Sequence, residues 1–154
     1  MQKGVPRLAR SELGEIAATC ACFSLRKAAR VVTQIYDRAL RPSGLGAAQF
    51  NLLVAVALLE APTVTHLARV LAMDPTTLVR NLAPLTRDRL VRVDPGKDRR
   101  TRNVTLTENG SVALSRAMPL WRRAQARIVQ HVGAERLPGF AERLGTLAAL
   151  GGHI

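Results

Sequence analysis

The sequence predicts a mainly α-helical chain: a winged helix-turn-helix with long N- and C-terminal dimerisation helices. The first observation behind this is the stretch LVRVDPGKDRRTRNVTLTENG, from Leu90 to Gly110, which reads as a two-stranded hairpin between helices. Val91 and Val93 alternate with polar neighbours, as do Val104 and Leu106, which is the period of half-buried strands. Asp94-Pro95-Gly96 supplies the turn, because Pro95 presets φ and Gly96 accepts positive φ. Lys97, Arg99, Arg100 and Arg102 crowd that turn, with Asp98 the one acid among them. The second observation is Asp74-Pro75-Thr76-Thr77, a helix start placed just upstream of the hairpin. The third is apolar residues at three- and four-residue steps through most of the remaining chain.

Each element follows in order. Gly4 and Pro6 make the first ten residues a loose basic arm. Ser11 is the expected N-cap of the first helix, with Glu12 and Glu15 favoured in its early turns. Leu25, Ala28, Val32, Ile35, Tyr36 and Ala39 extend one apolar stripe, so a single long helix is expected to about Leu40. Arg41-Pro42-Ser43-Gly44 stops it. A second helix over 47–60 turns Phe50, Leu53, Val54, Ala57 and Leu58 inward, and Ala61-Pro62 ends it. Val64 is read as a very short strand at the foot of the hairpin. Thr65 then caps a brief helix through Ala72, and Met73-Asp74 makes the turn. Asp74 as N-cap and Pro75 as first helical residue open the next helix, which buries Leu78, Leu82 and Leu85 and runs to about Arg89. After the hairpin, Thr107 caps a helix over 108–132, kinked at Pro119. Gly133 ends it, and a last helix covers 134–150.

At 154 residues the chain is sized for one domain, residues 1–154, and can close a core. Within it, 47–107 form the helix-turn-helix and wing, and 11–41 and 108–150 the flanking long helices. Those helices are long for so small a central module. Burying their stripes against a second copy explains the length, and two-fold dimers are the commonest soluble oligomers. Lysine and arginine number 23 against 11 acids, a net +12 that favours an anionic partner, nucleic acid or an acidic membrane surface. The longest apolar run, 52–59, is too short to span a bilayer, and no signal-type apolar core precedes Glu12 and Glu15. A cytoplasmic protein with no membrane partner is expected, its two cysteines resting as thiols.

Enzyme chemistry finds no foothold: there are no paired carboxylates, nucleophile elbow or glycine-rich phosphate loop, so no catalytic residue and no cofactor are assigned. Cys20 and Cys22 lie about 200° apart on a helix, and His66, His131 and His153 show no matching spacing, so no metal site is expected.

The pattern Asp98-Arg99-Arg100, three residues, then Val104-x-Leu106-Thr107-Glu108-x-Gly110 resembles the wing of the MarR family of bacterial transcription regulators. The order of elements from about residue 20 to 150 is similar too. The resemblance implies a homodimeric, sequence-specific DNA-binding repressor on a palindromic operator, with recognition helices in the major groove and wings in flanking minor grooves. Arg100 matches the wing arginine that enters the minor groove, and Asp98 would hold its fork. The chain departs from the family at Arg89, where glycine is usual, and at Pro84, which lies inside the recognition helix and is expected to kink it.

Base edges are read from the first turns of such a helix. Thr76, Thr77, Arg80 and Asn81 lie there, away from the apolar stripe. Arg80 suits guanine or a phosphate, and Asn81 suits adenine. Thr76 and Thr77 suit DNA contact or helix capping. Lys97, Arg99 and Arg102 suit phosphates, while Arg87 and Arg92 carry little weight. An architectural protein without sequence choice is the rival reading; a regulator prefers its site by about 10³ or more.

Cys22-Phe23-x-Leu25, with Arg30, Thr33 and Tyr36 following, resembles the first helix of organic-hydroperoxide-sensing members of the family. That likeness implies oxidation at Cys22 with Tyr36 as its hydrogen-bond partner. A second tyrosine of those sensors is Arg26 here, a cation that would favour the thiolate. Two other readings stay open: both cysteines pack a dimer core, or a small aromatic or anionic ligand binds near Arg26, Lys27 and Arg30.

Overall fold

The computed structural model describes residues 8–96, 98 and 101–150. The basic arm read at residues 1–10 thus lies largely outside the described residues. The chain divides into two compact units, one ending at Ile35 and one beginning at Tyr36.

The first unit holds α1 (Arg10–Thr19) and most of α2 (Ala21–Leu40). The single long helix expected from the stripe is therefore two helices. Cys20 breaks them with extended backbone, φ −68° and ψ 111°. Thr19 lies just before the break, and its hydroxyl donates to the Glu15 carbonyl at 2.8 Å, a local bond that competes with regular helix. The expected Ser11 cap is also corrected: Ala9 holds the N-cap position, and the Glu12 carboxylate accepts its N–H at 2.7 Å. Leu13, Ile16, Phe23 and Val31 remain about half exposed on these helices.

The second unit is built around α3 (Ala47–Leu59), α5 (Pro75–Arg87) and the wing. Asp37, near the end of α2, accepts the Ala47 N–H at 2.7 Å, and Gln49 accepts that of Gly46 at 3.0 Å, so α3 starts on side-chain acceptors. α3 buries Phe50, Leu52, Leu53 and Val56, while Leu58, expected inside, is exposed. The helix is apolar all round, so periodicity alone selects no inner face.

α4 (Val64–Val70) begins earlier than expected. Thr63 caps it, accepting the His66 N–H at 3.1 Å, in place of Thr65. Val64 is helical, and the bridge to the wing is made by Thr63 with Asn103. The wing strands β1 (Val91–Pro95) and β2 (Arg102–Leu106) pair antiparallel, Val91 opposite Leu106 and Val93 opposite Val104. Val91 and Val104 are buried, as their alternation predicts.

Between α5 and β1 the chain turns at Arg89, whose φ is +57°. An L-residue there costs about 1–2 kcal/mol that a glycine, lacking Cβ, avoids. The turn is held from the far side of the wing. Thr107 N donates to the Leu90 carbonyl at 3.1 Å, and its hydroxyl lies 2.7 Å from the Arg89 carbonyl oxygen. That hydroxyl also accepts Gly110 N at 3.0 Å, capping α6 (Glu108–Val132) as its sequence predicts. Gly110 is required by this approach, because a Cβ on it would stand 2.1 Å from the Leu90 oxygen.

α6 runs through Pro119 without interruption, and its Trp121 stacks on Phe50 with ring centroids 6.4 Å apart. Gly133 closes it with φ +95°. α7 (Leu137–Ala149) starts later than expected, with Pro138 in its first turn, where a missing N–H breaks no helical bond. No single helix among the described residues is long and apolar enough to cross a membrane.

Replacing Arg89 with glycine is expected to raise stability by about 0.5–1 kcal/mol, by relieving the left-handed strain. Gly110→Ala should lower it by about 1–3 kcal/mol, since the new methyl overpacks a backbone oxygen. Thermal unfolding of both variants checks the pair; a neutral Gly110→Ala would show that the junction yields.

Candidate nucleic-acid interface

α5 begins on a strong cap. Asp74 Oδ1 accepts Thr77 N at 2.9 Å, and the Thr77 hydroxyl donates to Oδ2 of the same carboxylate. The Thr77 bonds hold the Asp74 carboxyl below its usual pKa, helped by a weaker attraction to Arg80. Leu78, Leu82 and Leu85 are buried at 0%, 3% and 0% exposure, which fixes the rotation of the helix about its axis. At 3.6 residues per turn the opposite side presents Thr76, Arg80, Ala83 and Arg87 in one line. All four are exposed.

The four residues expected to read bases do not share that line. Thr76 and Arg80 do, and Arg80 forms no ion pair among the described residues. Thr77 is half-buried with its hydroxyl given to Asp74, so its position is that of a cap. Asn81 is half-buried on the flank beside the turn from α4, its amide donating to the Met73 sulfur at 3.9 Å. Arg87, given little weight from sequence, stands on the outer line with its guanidinium 3.1 Å from Asp88. Its four-three-four spacing from Thr76 through Arg80 and Ala83 was the available signal. Val79 is also exposed, although it is apolar.

On the wing, Arg102 stands exposed on β2 opposite Pro95. Asp98 is exposed at the tip, where its carbonyl accepts both Thr101 N and the Thr101 hydroxyl at 2.8 Å. Lys97, Arg99 and Arg100 lie outside the described residues. Arg92 pairs with Asp94 at 2.5 Å, both on β1.

A family model described as MarR family matches residues 43–101, from the turn after α2 through most of the wing. MosR, a transcriptional regulator of M. tuberculosis solved in complex with DNA, is 43% identical over 85% of this chain and 95% of that one, with a TM-score of 0.78. The chain belongs to the MarR family. A second crystal structure of M. tuberculosis MosR is 42% identical over 87% of this chain and 98% of that one, TM-score 0.75. The transcriptional repressor CouR of Rhodococcus jostii RHA1, solved on a 23-mer DNA duplex, is 25% identical over 93% of this chain and 99% of that one, TM-score 0.77. No curated protein sequence matches the chain.

This MarR-family chain also carries the residues singled out for a signal. Cys22 is exposed in the first turn of α2, and Arg26 follows one turn later on the same face. Cys20 is half-buried at the break between α1 and α2. Nearby, Ala17, Phe23, Lys27, Val31 and Val32 line an apolar hollow of about 440 Å³ with one cation at its edge. Tyr36 is half-buried, and its hydroxyl donates to Gln125 Oε1. Burial raises its pKa above the usual phenol value.

The cap is expected to be acid-sensitive with a definite sign. Because the native Asp74 pKa is lowered, the cap's stabilisation is complete above the ordinary carboxylate range and is lost as pH falls through the native value. Asp74→Asn keeps an acceptor but not the charge, so thermal midpoints measured from pH 7 to pH 3 should fall less in the variant. Equal losses would show that other carboxylates govern the acid limb.

Proposed function

We propose that this chain is a homodimeric, sequence-specific DNA-binding repressor, released from a palindromic operator by a chemical signal. The observation that carries the reading is the outer line of α5, Thr76, Arg80 and Arg87, presented by a capped helix with its other face buried. MosR, at 43% identity, was solved with DNA, which supports the same use here. Arg80 forks onto guanine, Thr76 contacts a base or phosphate beside it, and Asn81 reaches adenine by leaving Met73. Thr77 holds the helix start. Arg100 enters the minor groove under the guidance of Asp98, and Lys97, Arg99 and Arg102 take phosphates.

Residues 47–107 form the DNA-binding module, and helices over 11–41 and 108–150 form the dimer. The apolar residues left exposed on α1, α2 and α7, including Phe23, Val31, Phe140 and Leu147, support a second copy as their cover. The protein acts in the cytoplasm, without catalysis, cofactor or membrane contact. With two reading heads and two wings, roughly eight phosphate contacts give a log–log salt slope near −7. A slope shallower than about −3, or equal affinity for unrelated duplexes, overturns the bivalent specific reading and favours an architectural protein.

Two signals fit the helical end. In one, the Cys22 thiolate attacks an organic hydroperoxide, forming a sulfenic acid while the departing alkoxide takes a proton from water and leaves as the alcohol; Arg26 stands one helical turn from the thiol. In the other, an aromatic anion enters the hollow beside Lys27 and leaves the cysteines as packing. Stoichiometric hydroperoxide should release the operator, thiol reductant should restore binding, and Cys22→Ser should bind DNA yet ignore the oxidant. If Cys22→Ser responds like wild type, the ligand reading stands in its place.

A further inference from the structure

We propose that Val79 is a specificity-determining residue that reads the 5-methyl group of a thymine in the major groove. The proposal rests on the DNA-binding reading above and adds a contact that the polar residues of α5 do not supply. Val79 is 55% exposed, while its neighbour Leu78 is 0% exposed, so Val79 belongs to the surface and not to the core. It follows the Asp74 cap by five positions, within the turns that approach base edges. Its Cβ branch is no asset to an exposed helix, where alanine or a long polar side chain serves better.

The surroundings give that side chain a shape. Val79 and Ala83 stand one turn apart on the flank of α5 facing the wing. They form one wall of an open groove of about 460 Å³ whose other sides include Val64, Val93 and Arg102. The apolar lining ends at two cations, Arg87 and Arg102, both exposed and suited to phosphates. An apolar surface bounded by phosphate-binding cations fits a base edge that carries a methyl group beside its own backbone. In the major groove thymine alone among the four bases presents such a group. Burying one methyl against Val79 is worth about fourfold in affinity, from ~0.8 kcal/mol per buried carbon group.

The test starts from duplexes selected by full-length wild-type protein from a random pool. The preferred site is rebuilt with deoxyuridine for thymine, one position at a time, which removes only the methyl. Wild type should lose about fourfold at one symmetric pair of positions, and 5-methylcytosine placed there should recover part of the cytosine penalty. Val79→Ala should bind the thymine and uracil versions of that pair equally, with an unchanged thermal midpoint because the residue is exposed. Insensitivity of wild type at every thymine, or a uracil penalty that persists in Val79→Ala at every position, overturns the proposal while the DNA-binding reading stands. Selection of no sequence by wild type overturns that reading, and this one with it.

Discussion

The burial of Leu78, Leu82 and Leu85 is the constraint on which the rest of the interface depends. A helix can rotate about its axis without losing a backbone hydrogen bond, so only its apolar stripe determines which residues look outward. Three leucines under 4% exposure leave α5 one orientation. Arg80 and Arg87 then project from the opposite side, Val79 turns to the wing and Asn81 to the Met73 turn. A rotation by one residue would move the arginines toward the flank and bring Asn81 outward. Recognition chemistry in this chain is thus set by packing before any polar contact is considered.

A second constraint joins the reading helix to the wing. Arg89 adopts a left-handed conformation, and the Arg89 and Leu90 carbonyls are held by Thr107 at the start of α6. Gly110 allows α6 to approach until no side chain fits between them. The Thr107-x-x-Gly110 spacing, which looks like a capping signal in sequence, therefore also sets where the wing leaves the body. A strained arginine at 89 persists because these bonds over-determine the turn.

The helical end is different in kind. α1 and α2 leave Leu13, Ile16, Phe23 and Val31 half exposed, and the apolar hollow beside Lys27 lies among them. Cys22 sits at the start of that surface, exposed and one turn from Arg26.

Strong local chemistry made much of this protein legible in its sequence. Asp74 and Thr107 announce helix starts because their side chains satisfy orphan N–H groups within three residues, and Gly133 announces an end by tolerating positive φ. The wing strands follow from two-residue alternation, and the family from the spaced wing residues. Where several local solutions compete, only the tertiary structure decides. The break at Cys20 follows the Thr19 hydroxyl's bond to the Glu15 carbonyl, and the inner face of an all-apolar α3 depends on its neighbours. The cap of α4 shifts from Thr65 to Thr63 because Thr63 also bridges to Asn103. The flanks to which Asn81 and Val79 turn were out of reach of sequence for the same reason: type and spacing place a residue on a helix, but packing sets the direction in which that residue faces.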